Sequence, residues 1–174
     1  MKTAPSVISL SAFKRRKAAQ RGFREWKRLF ETFHDLDENT RWSDLPDWLL
    51  LYLCEGSPES RFTLYDLLMG ASGLGSGYEF EGLPPDTLMP LLDAYFVLMD
   101  QVHFECMRRL GWIKNIPWVE KPIIDQVLEA KEISPFTLKM PEMTSQHPAH
   151  ERTRGKDDLD YGRWLRSRIP ESID

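Results

Sequence analysis

The sequence predicts an all-α fold, an irregular bundle of four to five helices with extended N- and C-terminal arms. Three observations lead there. Apolar residues recur at three- and four-residue steps in several separate segments, the spacing that gathers side chains on one helix face. No segment of useful length alternates with period two, and none is rich in Val, Ile and Thr as strands are. Prolines and glycines stand where helices start and stop. With 174 residues and 41% hydrophobic content, the chain supplies one domain with one core. A chain of this size buries about 70% of its unfolded surface.

Residues 1–10 have no period. Across 12–33, Ala19, Phe23, Trp26, Phe30 and Phe33 draw an aromatic stripe down one helix face. Arg16 falls on the same stripe one step earlier, so the stripe is expected to meet the core only from Ala19 onward. Lys14, Arg15, Arg16 and Lys17 then project into solvent. Gly22 is expected to weaken the middle of this helix by about 1 kcal/mol relative to Ala. A second helix, residues 46–55, is apolar nearly all round (Trp48, Leu49, Leu50, Leu51, Tyr52, Leu53), the pattern of a central helix. A third opens at Ser57 and Pro58 and is expected to stop at Gly70. The fourth and longest enters through Pro84 and Pro85 and closes at Gly111. Its Leu88, Leu92, Tyr95, Met99, Val102, Cys106 and Leu110 fit a 3.6 period. A fifth, residues 122–133, carries Ile123, Ile124, Val127 and Leu128.

Between these lie two irregular stretches. Residues 70–82 hold half of the chain's ten glycines and read as a flexible connector. Residues 134–156 contain Pro135, Pro141 and Pro148 and read as a linker or an arm lying over the body. The division expected is a basic arm (1–18), a helical body (19–133), and a proline-containing linker with an amphipathic tail (134–174). In the tail, Tyr161, Trp164 and Leu165 form an aromatic patch expected to dock on a partner protein. Trp26, Trp42 and Trp48 are expected in the core, whereas Trp112, Trp118 and Trp164 are candidates for an interface.

Charge is divided unevenly. Residues 1–28 carry nine Lys and Arg against one acid, Glu25, and the remainder carries fourteen against twenty-six. A basic arm on an acidic body is built to reach an anionic partner. Lys14, Arg15, Arg16, Lys17, Arg21 and Arg24 are the expected contacts, with nucleic acid foremost among partners.

Other classes are excluded or weak. The longest apolar run, residues 48–54, is far below the roughly 18 residues of a membrane helix. Val7, Ile8 and Leu10 are too few for a secretory h-region, and positive charge follows them instead of preceding them. Cys54 and Cys106 lie in apolar helical patterns without CxxC spacing, which argues against disulfide, zinc and redox roles and for a reducing compartment, the cytoplasm. The acid-poor N-terminus also has transit-peptide composition, making an organellar matrix the alternative.

No catalytic, metal or cofactor signature is complete. Gly70 and Gly75 have the spacing of a phosphate-binding loop, but Ser76 stands where its lysine belongs. Neither Ser72 nor Ser76 has the glycines of a nucleophile elbow. Asp35, Asp37, Asn39 and Ser43 match EF-hand positions, yet Thr40 replaces the turn glycine and Pro46 the final glutamate. Asp93, Asp100 and His103 share one face of the fourth helix without a second copy to complete a di-metal set, and read as a solvated or inter-helix polar edge. His147 and His150 lie in the linker as a weak chelating pair at most. Arg28 and His34 form R-x5-H, which resembles the Arg-x4–6-His motif of HEPN-type ribonucleases. The resemblance implies a helical, metal-independent RNA-cleaving enzyme; Leu29 departs from the polar residue that family usually has after the arginine. The expected function is thus a non-catalytic interaction subunit of a larger assembly, with a HEPN-like ribonuclease as alternative.

Overall fold

The structure is a computed structural model that describes residues 10–28, 37–114, 116, 120–132, 141–148 and 150, with the backbone alone for 25 and 26. Phe30, Phe33, His34, Asp35, Trp118 and the tail residues Tyr161, Trp164 and Leu165 lie outside the described residues. Five α-helices are described: α1 (Leu10–Arg28), α2 (Asp47–Cys54), α3 (Pro58–Ser72), α4 (Pro85–Arg109) and α5 (Ile123–Ala130). Short 3-10 turns, Trp42–Asp44 and Gly77–Gly82, precede α2 and α4. The fold is all-α.

The central helix is α4, not α2 as the composition suggested. From Asp100 to Met107 every residue of α4 is buried, because α2, α5 and the Trp42–Asp44 turn surround that stretch. The short α2 buries Leu49, Leu50, Leu53 and Cys54 but leaves Trp48 50% exposed. Eight residues cannot be enclosed on every side at the edge of the bundle, so Trp48 is a surface residue and not core.

Two arrangements hold the layers together. Trp42, fully buried, donates its Nε1–H between Gln101 Oε1 (3.2 Å) and Gln126 Oε1 (3.1 Å), tying the turn to α4 and α5. The buried Glu105 carboxylate accepts from Arg108 Nε (2.7 Å) and Arg109 Nε (2.8 Å). Arg109 also donates to the carbonyls of Ser43 (3.1 Å) and Leu45 (2.7 Å) and pairs with Asp47. Cys54 and Cys106, 52 positions apart and unrelated by sequence motif, bring their free thiols within 3.4 Å across α2 and α4.

The helix boundaries correct the sequence reading at Gly70. Helix α3 continues to Ser72 and is closed by Gly73 at φ 72°, with Leu74 N–H bonded back to Met69. Gly70 lies inside the helix because it meets Gly22 of α1: a Cβ built on Gly22 would stand 2.3 Å from Ala71 N. The supposed flexible connector is likewise ordered. Gly77 N–H donates to Asp66 Oδ1 (2.9 Å), and Ser76 N–H and Oγ–H both donate to Glu79 Oε2 (2.8 and 2.6 Å), starting the second 3-10 turn. Those bonds from Ser76 hold the Glu79 carboxyl below its usual range. Phe80 is buried there, stacked on Tyr65 at 3.9 Å.

Residues 141–148 lie over the body, joined by an isolated antiparallel bridge between Ile113 and Met143. His147 is buried edge-on against Trp112, so local packing and not an exposed interface accounts for that tryptophan. Burial first, then the neighbouring His150, pushes His147 down to about 4. The unfolded chain therefore binds a proton near pH 6.5 that the folded chain refuses until about pH 4. Unfolding free energy should decline as pH falls through that window and level off below it. Chemical denaturation between pH 7 and 5 should register the loss, and His147→Phe should flatten that part of the profile.

Candidate nucleic-acid interface

Helix α1 has two faces of opposite character. Ala19, Gly22 and Phe23 are buried against the body. At about 100° per residue, Lys14, Lys17, Arg21, Arg24 and Arg28 fall within an arc of about 80° on the opposite side. All five are exposed. The row extends about 21 Å along the helix, a cation at each step of three or four residues. Lys17 Nζ also stands 5.7 Å over the exposed Phe13 ring.

The six cations singled out from sequence are thus divided. Lys14, Lys17, Arg21 and Arg24 stand together in the outer row, joined by Arg28. Arg15 and Arg16 fall on the flank facing α5, where Arg15 reaches Glu132 Oε1 (3.1 Å) just beyond that helix and Arg16 pairs with Asp125. Arg15 and Glu132 keep side-chain exposures of 62% and 67%, so this bond is weak and exchangeable. The positive field there is felt by Lys131, whose ammonium is pulled down first by burial and then by Arg15. Periodicity was the signal for the outer row, the same test that finds apolar stripes, applied to Lys and Arg.

Beside the row, between α1, α3 and the Gly77–Gly82 turn, opens a cavity of about 390 Å³. Arg21 and Arg28 line it from α1, Phe62 and Asp66 from α3, and Tyr78 from the turn. Tyr78 is 85% exposed, and its ring rests against Phe62 at 4.4 Å.

The other candidates resolve into structure. Asp37 Oδ1 accepts from Asn39 N–H (2.7 Å), and Arg41 bridges Asp44 (3.0 Å) and Glu120 (2.5 Å) beside it. Asp37 thus caps its own turn, while Arg41 occupies the neighbouring acids Asp44 and Glu120. Asp100 and His103 are buried within the bundle, which selects the inter-helix and not the solvated alternative for this polar edge; His103 Nδ1 lies 2.7 Å from Met99 O. Among the described residues no cluster of three His, Cys, Asp or Glu is arranged to hold a metal, and no helix is long and apolar enough to cross a membrane. Arg28 is placed at the end of α1, but His34 is outside the described residues. No known protein family, curated protein or solved structure matches this chain.

Proposed function

We propose that this chain is a non-catalytic interaction subunit of a larger assembly that contacts nucleic acid through the outer face of α1. The observation that carries the reading is the row of five exposed cations in one narrow arc, opposite the face that α1 buries. A helix needs no such alignment to fold: like charges at i,i+3 and i,i+4 cost a few tenths of a kcal/mol per pair. An anionic rod lying along α1 turns that cost into attraction. The acidic remainder of the chain confines contact to this helix and sets its orientation on the anion. The lowered Glu79 carboxyl and the raised Arg108 guanidinium owe their shifts first to Ser76 and Glu105, partners within the fold.

Fluorescence anisotropy with short RNA and DNA at low salt tests the reading. Lys14/Lys17/Arg21/Arg24→Gln should weaken binding by about 100-fold or more, in line with loss of several phosphate contacts. Arg15/Arg16→Gln should change it only a few-fold, because those side chains face α5. Equal binding by all three proteins would reject the assignment.

A further inference from the structure

We propose that the cavity beside Tyr78 accepts one unstacked base of a single-stranded nucleic acid, with Arg21 and Arg28 holding the adjoining phosphates. This rests on the reading of α1 as the nucleic-acid interface and names the form of nucleic acid it takes. Three chemistries converge at the cavity, and each answers a different part of a nucleotide. The two guanidiniums answer phosphate, and the exposed Tyr78 ring answers the face of a base. The Asp66 carboxylate, which spends one oxygen on Gly77 N–H, has acceptor capacity left for an exocyclic amine. Tyr78 is also presented rather than merely exposed. Its neighbour Gly77 is anchored to Asp66, its turn is started by Ser76 and Glu79, and Phe62 supports the ring from behind. The volume, about 390 Å³, falls within the usual range for small-ligand sites. A duplex must unpair and unstack a base to fill it, at a cost of a few kcal/mol, so a single strand fills it preferentially.

The test compares a labelled single strand with a hairpin duplex of equal length on the full chain. Tyr78→Ala should weaken the single strand about 5- to 100-fold and leave the duplex unchanged, whereas Tyr78→Phe should retain the affinity for both. At 85% exposure Tyr78 is dispensable for folding, which an unchanged melting curve verifies. Wild-type binding of both nucleic acids, with Tyr78→Ala indistinguishable or equally weakened on each, overturns the pocket and leaves the α1 interface standing. Failure of the wild type to bind either removes both.

A separate observation carries a second inference: the geometry points to Cys54 and Cys106 as a pair that closes into a disulfide on meeting a small disulfide reagent. Their sulfurs are already 3.4 Å apart and approach bonding distance, about 2.05 Å, by small rotations. Both cysteines are buried, but Cys106 lines a small cavity with Leu50, Leu51 and Arg109, which offers a reagent a route to its sulfur. The Cys106 thiolate attacks the reagent, displacing one thiolate and forming a mixed disulfide. Cys54 then attacks the Cys106 sulfur, releases the second thiol and leaves the cross-link; each thiol gives up one proton, and the reagent takes both electrons. The hydrogen bond with Cys106 and then burial push the Cys54 thiol up, which disfavours Cys54 as the first attacker.

Treatment of the full chain with oxidised glutathione should leave it two hydrogens lighter, without alkylatable thiols, and melting several degrees higher. Cys54→Ser should instead keep one glutathione on Cys106, and Cys106→Ser should react only after unfolding. Two thiols still free in the wild type after prolonged exposure, or a stable glutathione adduct on it, would overturn the pairing.

Discussion

Gly22→Ala should lower the stability of this protein by about 3–5 kcal/mol, a fall of roughly 10 °C in Tm. Helix propensity alone predicts the reverse, since Ala in a helix interior is favoured over Gly by about 1 kcal/mol. Packing decides the sign. The new Cβ would stand 2.3 Å from Ala71 N and 2.5 Å from Gly70 C. Both are backbone atoms of α3 that no rotamer change can move. The helices must separate, and the contacts of Ala19 and Phe23 loosen with them. Gly70→Ala meets Gly22 Cα at 2.6 Å and should behave similarly. Circular-dichroism melts of the two variants test this, and a Tm at or above wild type would show that α1 does not cross α3 at this point.

Arg109→Met should cost about 3 kcal/mol or more, placing it among the most damaging single polar changes in the body. The substitution keeps much of the aliphatic volume but removes one of two cations from Glu105, whose side chain is fully buried. It also strips the donor from the carbonyls of Ser43 and Leu45 that shape the entry to α2. An exposed pair provides the contrast: Arg15→Gln, opposite Glu132, should change stability by less than about 0.5 kcal/mol. Denaturant titration of both variants measures the difference, and comparable small losses would mean that Arg109 does not organise the buried end of α4.

These two expectations mark where sequence periodicity stopped. The all-α architecture and the order of five helices were legible because apolar spacing and proline or glycine punctuation are local. Gly22 and Gly70 each looked like local weakness, a mid-helix defect and a helix stop. Only their apposition across 48 positions explains both. Arg109 was silent for the same reason, its partners being backbone carbonyls more than sixty residues away. The burial of α4 instead of α2 was hidden by composition, since Asp100, Gln101, His103 and Glu105 look polar and are nevertheless enclosed. At the candidate interface the charge excess was plain, but its division was not. Adjacent cations were grouped as one cluster, whereas the helix sends Arg15 and Arg16 toward α5 and aligns Lys14, Lys17, Arg21, Arg24 and Arg28 outward.

That alignment is tested most directly by the salt dependence of nucleic-acid binding. Neutralising about five phosphates gives a slope of log K against log salt near −3.5 on a single strand. Replacing Lys14, Lys17, Arg21 and Arg24 with Gln should bring the slope to about −0.7. A wild-type slope near zero, or the same slope for both proteins, would contradict the account.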